Sequence, residues 1–282
     1  MKLLFATLVV LQSVSSIAQP PRQYLDEKEN ILAGPEGASY YREITSNGRL
    51  YIVKDFYASN EQLAMEASCS EIIPKLVYEG PYKTFHKNGK ICDEGLYNGN
   101  NKRGFWKTYY EDGQPEEEVL YQAGKTLYQQ HWDESGNAQL VNGNGHFTKK
   151  NKYLGEQHIE ILDHQLIASY SVDAAVGDTT YIVVQETANY KSGMIGLYQT
   201  LSKALRYPAQ ARKGGFEGKV FVEFVVQKDG TIRDVKVLKG PHESLNEEAA
   251  RVMRMMNDWT PGKVRGKPVA QKMVLPVAFK LG

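Results

Sequence analysis

The histidines and carboxylates of this chain are the first candidates for chemistry. Asp163-His164 sets an acid beside an imidazole, a pairing used in general acid–base catalysis, but the dipeptide is isolated and is typical of a solvated loop. Glu116-Glu117-Glu118 is a charge run typical of a solvated face. None of the histidines has the spacing of a metal ligand; they are His86, His131, His146, His158, His164 and His242. We therefore expect no catalytic residue and no metal site.

A glycine-rich segment at residues 214–219 superficially resembles a phosphate-binding loop. The first glycine of that motif would fall on Lys213, and Val220 stands where the motif requires Ser or Thr. No Gly-x-Ser-x-Gly elbow occurs, and neither composition nor motif indicates nucleic acid. We expect neither an enzyme nor a cofactor.

The first eighteen residues have the pattern of an export signal. Met1-Lys2 carries a positive charge, Leu3–Leu11 is almost wholly apolar, and Ser16-x-Ala18 fits a signal-peptidase site. The apolar stretch is shorter than the roughly 20 residues that span a bilayer. The sequence predicts a periplasmic protein with a signal peptide at residues 1–18, cleaved after Ala18. An uncleaved anchor, which would keep the protein at the membrane, is the alternative.

Cys69 and Cys92 are the only cysteines of the chain. An oxidising compartment permits a disulfide between them. Two buried thiols are the competing interpretation.

The C-terminal third reads as strands and helices in a fixed order. Val220–Val226 is dense in β-branched and aromatic residues, and Asp229-Gly230 is a strong hairpin signal before a second strand at Ile232–Leu238. An apolar face over residues 197–205 predicts a first helix, and a second helix is expected over residues 245–257.

The third strand, Met273–Leu281, completes a small sheet. A right-handed crossover through the second helix sets it parallel to the second strand and antiparallel to the first. The expected spatial order is 2-1-3. Pro276 fits an edge strand, because proline removes a ladder donor. An edge offers unpaired backbone groups to a partner strand.

This segment, residues 193–282, resembles the C-terminal domain of TonB-type energy transducers. The residues that carry the resemblance are Tyr207, Pro208, Ala211, Gly218, Val220, Asp229, Gly230, Ala249, Trp259, Pro261, Gly262 and Pro276–Phe279. The resemblance implies a domain that pairs with a partner's strand, such as the TonB box of an outer-membrane receptor. We expect the backbone contacts at Met273, Val274, Leu275, Val277 and Phe279.

The rest of the chain departs from that family. A transducer would have a membrane anchor and a Pro-rich spacer, whereas this chain has 11 prolines and no proline repeat. Energy coupling and contact with inner-membrane motor proteins are therefore in doubt. Residues 193–282 hold 16 basic and 8 acidic residues, against 18 and 25 elsewhere. A basic domain of this kind could be steered toward acidic segments.

Two segments of the middle region match at a 24-residue offset, Gly80–Gly89 and Gly104–Gly113. A fixed period indicates stacked units that cannot bury their faces alone. They resemble the MORN-type repeats of the YwqK family, which implies a β-hairpin array over residues 38–140, after an N-terminal segment at residues 19–37. An ordinary antiparallel meander is the alternative. Residues 141–192 are expected to be a degraded repeat and linker.

The sequence therefore predicts an α+β protein in which an antiparallel β-hairpin array precedes a two-layer domain with a three-stranded sheet and two helices. We expect a non-enzymatic, exported protein that binds a strand of an outer-membrane receptor or another envelope protein, linked to energy-dependent transport. The alternative is a structural, envelope-binding repeat protein whose C-terminal domain is a cap or a homodimerisation module.

Overall fold

The computed structural model describes residues 21–151 and 155–281. The predicted signal peptide at residues 1–18 lies outside the described residues. The described chain divides into two compact units at the bond between Gln114 and Pro115. This boundary falls inside the predicted 38–140 array.

The first unit is an antiparallel sheet built from hairpins. Its strands are β1 (Gln23–Leu25), β2 (Ile31–Leu32), β3 (Tyr40–Ser46), β4 (Tyr51–Tyr57), β5 (Leu63–Glu71), β6 (Val77–Phe85), β7 (Ile91–Asn98) and β8 (Asn101–Tyr109). Their order is β8-β7-β6-β5-β4-β3-β1-β2, so chain neighbours are sheet neighbours from β3 to β8. This order fits both the predicted hairpin array and the alternative, an ordinary antiparallel meander.

The turns at one end of this sheet repeat the same hydrogen bonds. The His86 N–H donates to the Lys90 carbonyl at 2.8 Å, and Tyr110 repeats this bond to Gln114 at 2.9 Å. The Asn88 amide joins the two turns by donating to the Glu111 carbonyl at 2.6 Å. The sequence offset is therefore a structural period in which one turn is tied to the next.

The disulfide that the sequence permitted does not form. Cys69 on β5 lies opposite Tyr78 of β6, whereas Cys92 on β7 is next to Asp93, which lies opposite Thr84 of β6. A whole strand separates the two cysteines, and they lie about six residues, or roughly 20 Å, apart along it. No bridge spans that distance. Both are thiols, and burial raises the pKa of Cys69 to about 11.

The second unit combines strands and helices. Its described elements are β9 (Pro115–Gln122), β10 (Lys125–His131), β11 (Leu140–Val141), β12 (Asn144–Asn151), β13 (Gly155–Leu162), β14 (Gln165–Val172), β15 (Thr179–Val183), β16 (Asn189–Tyr190), α1 (Gly193–Ala204), α2 (Ala209–Gly214), β17 (Gly218–Val226), β18 (Ile232–Lys239), α3 (Glu243–Met253), β19 (Trp259–Thr260), β20 (Gly262–Val264), β21 (Lys267–Val269) and β22 (Gln271–Phe279). Eight strands form one sheet in the order β11-β12-β13-β14-β15-β22-β17-β18.

The core of the C-terminal part lies between this sheet and the helices. Alternate residues of β17 are buried, because a strand turns every second side chain to the same face. Leu197 of α1 and Leu245 of α3 pack against that face and are fully buried. The backbone N–H of Arg206, just after α1, donates to the Glu248 carboxylate of α3 at 2.6 Å.

The α+β class is confirmed, but the sheet is larger than predicted. β18, β17 and β22 do not form a separate three-stranded sheet, since β15 continues it on the far side of β22. Residues 141–192, expected as a degraded repeat and linker, contain all of β12–β15 and also β16. The alternation of apolar and polar residues in this segment is weak. The residue of β22 that pairs with β15 lies 90 residues downstream (Tyr181 with Gln271).

The turn glycine Gly230 is fixed by its neighbour Trp259. Its φ is 87°, and a Cβ built there would lie 2.1 Å from the Trp259 carbonyl oxygen. Gly215, with φ of 66° at the end of α2, has open space around it. The two glycines therefore share the left-handed conformation and differ in the clash.

We expect Gly230→Ala to lower the free energy of unfolding by about 3 kcal/mol, because steric overlap adds to left-handed strain. Gly215→Ala carries the strain alone and should cost about 1 kcal/mol. Urea unfolding of both variants measures the difference. Equal losses would show that the Trp259 contact is unimportant.

Candidate strand-binding edge

β22 is paired along its full length on one side only. It faces β17 without a register shift, from Gln271 opposite Val226 to Phe279 opposite Gly218. On the far side β15 runs parallel to it and pairs through Tyr181 and Gln271 alone. Within the described residues, the far side of residues 273–279 has no strand beside it.

One hydrogen bond fixes which backbone groups of β22 face that open side. The Tyr181 N–H donates to the Ala270 carbonyl at 2.8 Å, so that carbonyl points away from β17. Backbone direction alternates along a strand, so Val274, Pro276 and Ala278 also point to the open side. Pro276 has no N–H, and in this position it removes no hydrogen bond from the ladder with β17.

The five residues predicted as edge contacts divide on this geometry. Val274 presents both N–H and C=O to the open side. Met273, Leu275, Val277 and Phe279 turn theirs toward β17, because a ladder residue faces one neighbour with both groups. Ala278 was missed by sequence reasoning although its groups point outward. Pro276 was the signal that could have found it, since proline marks the outward parity and residues two positions away share it.

The side chains of β22 follow the same alternation. Leu275, Val277 and Phe279 are buried in the core under the helices. Val274 is 47 % exposed on the opposite face of the sheet. The outward backbone groups therefore belong to residues whose side chains lie outside the core.

The other edge of this sheet is protected. β18 is the terminal strand, its register with β17 shifts twice, and Asp234 within it has a φ of 55°. Its exposed residues include Lys236 and Lys239. Bulges and charged residues of this kind discourage strand addition. The described part of β22 is regular by comparison.

Two of the motif residues that carry the resemblance pack against the strands next to the open side. Trp259 is buried, donates its indole N–H to the Met256 carbonyl at 2.8 Å, and packs against Phe224 of β17. Tyr207 packs edge-on against Phe279 with ring centroids 5.9 Å apart. These side chains pack against β17 and β22 from inside the domain.

The remaining motif residues shape turns. Pro208 precedes the first turn of α2, and Pro261 and Gly262 lead into the β20–β21 hairpin. Hydrogen bonds from the Thr231 side chain and backbone lower the pKa of Asp229 and lock the Asp229-Gly230 turn.

Gln271 is a site residue that sequence reasoning missed. It is 5 % exposed, and its side-chain oxygen accepts a hydrogen bond from the Ala188 N–H at 2.7 Å. Nearby, Arg265 forms an ion pair with Glu160 at 3.4 Å. The hydrogen bond fixes the start of β22 to the segment that follows β15. The ion pair joins the turn between β20 and β21 to β13. No motif announces them, because each pairs residues far apart in the chain.

The isolated Asp163-His164 dipeptide forms a turn between two strands. Both residues have positive φ, 49° and 65°, and form the two-residue turn between β13 and β14. The His164 ring nitrogen lies 2.8 Å from the Tyr128 carbonyl.

In the part of the chain that the structure describes, no helix has the length and apolar character needed to cross a membrane.

Comparison with known proteins finds similarity in the C-terminal part. Residues 203–281 match the family model of the Gram-negative bacterial TonB protein C-terminal, which confirms the resemblance over that range. Two solution structures of the Helicobacter pylori TonB-CTD are similar. One is 27% identical, covers 31% of this chain and 91% of that chain, and has a TM-score of 0.26. The second is 26% identical, covers 32% and 82%, and has a TM-score of 0.25. No curated protein matches. The MORN-type resemblance stays a prediction.

Two proline substitutions test which backbone N–H groups of β22 face the open side and which face β17. We expect Val274→Pro to change the free energy of unfolding by less than about 1 kcal/mol, because its N–H faces the open side. Val277→Pro removes a hydrogen bond to β17 and should cost about 3 kcal/mol or more. Thermal and urea unfolding of the two variants provide the measurement, and the reverse ranking would refute the parity.

Proposed function

We propose that residues 193–281 bind an extended segment of an outer-membrane receptor or another envelope protein by adding it to the open side of β22. The protein would be exported and would act at the periplasmic face of the envelope, in connection with outer-membrane transport. The observation that carries the proposal is the open side of residues 273–279 of β22, which pair with β17 without a register shift and lie beyond the single bridge to β15.

The comparison supports the envelope setting. The family matched by residues 203–281 is that of the TonB C-terminal. The C-terminal segment has an excess of eight basic over acidic residues, 16 against 8. Such a charge accelerates encounter with an acidic partner, chiefly at low ionic strength.

The open backbone groups alone give modest affinity. Val274 and Ala278 each offer an N–H and a C=O, and Pro276 offers a C=O. Hydrogen bonds of this type contribute about 1 kcal/mol each, so the set supplies about 5 kcal/mol. Loss of free motion on association costs at least about 4 kcal/mol. A bound strand therefore also needs side-chain contacts.

Photo-crosslinking in the producing cells tests the proposal. A photoreactive residue at Val274 should capture an envelope protein. A residue at Leu238 is the matched control, because it is 49 % exposed on the protected strand β18 and should not capture it. Ala278→Pro, which removes an outward N–H, should reduce the yield at Val274 severalfold.

Other outcomes point elsewhere. Equal capture from Val274 and Leu238 would contradict strand addition at β22. Capture from β6 or β8, with none from Val274, would favour the alternative in which the hairpin array contacts the envelope. Crosslinks from Val274 to a second copy would indicate a homodimer.

A further inference from the structure

A groove follows the helix side of the open edge. It lies between α1 and the C-terminal half of β22 and encloses ≈ 350 Å³. Its apolar walls include Tyr198, Leu201, Leu205, Tyr207, Val277 and Phe279. The Tyr207 hydroxyl donates to the Phe216 carbonyl, so its hydrogen is already engaged. This volume is at the lower end of the range for ligand sites and suits one or two side chains.

The alternation of backbone direction along β22 determines which side chains of an added strand enter this groove. Residues opposite Val274, Pro276 and Ala278 would exchange backbone hydrogen bonds and point their side chains to the far face. Residues opposite Val277 and Phe279 would point theirs to the helix face, where the groove lies. Those are non-hydrogen-bonded positions, at which facing side chains approach most closely.

The occupant that fits is an extended peptide rather than a second copy of β22. In a second copy, Leu275, Val277 and Phe279 are buried beneath that copy's own helices, so they cannot reach into a neighbour's groove. A peptide that is free on both faces has no such restriction.

The charged residues at the groove indicate which residue type a bound strand would carry there. Of the side chains that line it, Lys280 is the charged one. Lys203 lies in the last turn of α1, which forms the opposite wall. A strand with an acidic residue at this end would find complementary charge.

We propose that this groove is a specificity subsite: it takes one large aliphatic or aromatic side chain of the docked strand, with an acidic residue on the same face of that strand toward the Lys280 end. The subsite rests on the proposed function, since only a strand on β22 has the required register. It gives the side-chain contact that the backbone hydrogen bonds lack.

A peptide series tests the subsite on the full chain. The probes are capped ten-residue peptides of alternating Thr and Ser, with Phe, Leu or Ala at one central position and Asp or Lys two positions away, so that both side chains lie on the same face. NMR titration follows the Ala278 amide in every variant, and the Val274 amide in the chains that keep Val274. We expect Phe and Leu to bind about tenfold or more tightly than Ala, and Asp about threefold more tightly than Lys.

Ser202 on the α1 wall of the groove provides the matched variants. Ser202→Trp should fill the groove and abolish the preference for Phe over Ala, whereas Ser202→Ala should keep it. Val274→Pro should weaken every peptide.

The outcomes separate the two proposals. If Val274→Pro weakens binding but Phe and Ala bind equally, or if Ser202→Trp keeps the preference, the subsite is wrong and strand addition stands. If Val274→Pro changes nothing, or no peptide binds the folded chain, both are wrong.

Discussion

The unshifted ladder between β17 and β22 is the constraint on which the C-terminal part depends. Nine consecutive pairs leave no freedom of register, so each residue of β22 has one assigned face and one assigned backbone direction. The same alternation buries Leu275, Val277 and Phe279 under the helices and turns the backbone groups of Val274 and Ala278 outward. A one-residue slip would reverse both assignments at once. Core packing therefore also holds the edge in place.

Local signals in the sequence were sufficient for the elements of this part. Asp229-Gly230 marked the hairpin, and Pro261-Gly262 marked the end of the helical region, because turn chemistry is set by a few adjacent residues. The ordered motif also indicated the family matched by residues 203–281. These signals did not show the direction in which each residue's backbone groups point. They placed the third strand at Met273–Leu281 but treated its residues as equivalent contacts.

Long-range pairing could not be predicted from those signals. Tyr181 and Gln271 are paired across 90 residues, and the buried Gln271 side chain accepts a hydrogen bond from the Ala188 N–H. Neither residue belongs to a pattern with a period. The disulfide failed for a similar reason, since the spacing of Cys69 and Cys92 near the repeat length says nothing about the strand that lies between them. Contacts of this kind depend on the assembled sheet.

β15 has a consequence for the size of anything that joins this edge. Its last residue is Val183, and its bridge to β22 occupies Gln271. A strand laid beside β22 therefore meets β15 at about residue 273 and reaches the strand end near residue 280, a span of about seven residues or roughly 23 Å. β15 therefore blocks one end of the open side of β22, and the length of that open side limits the length of the segment that can bind there.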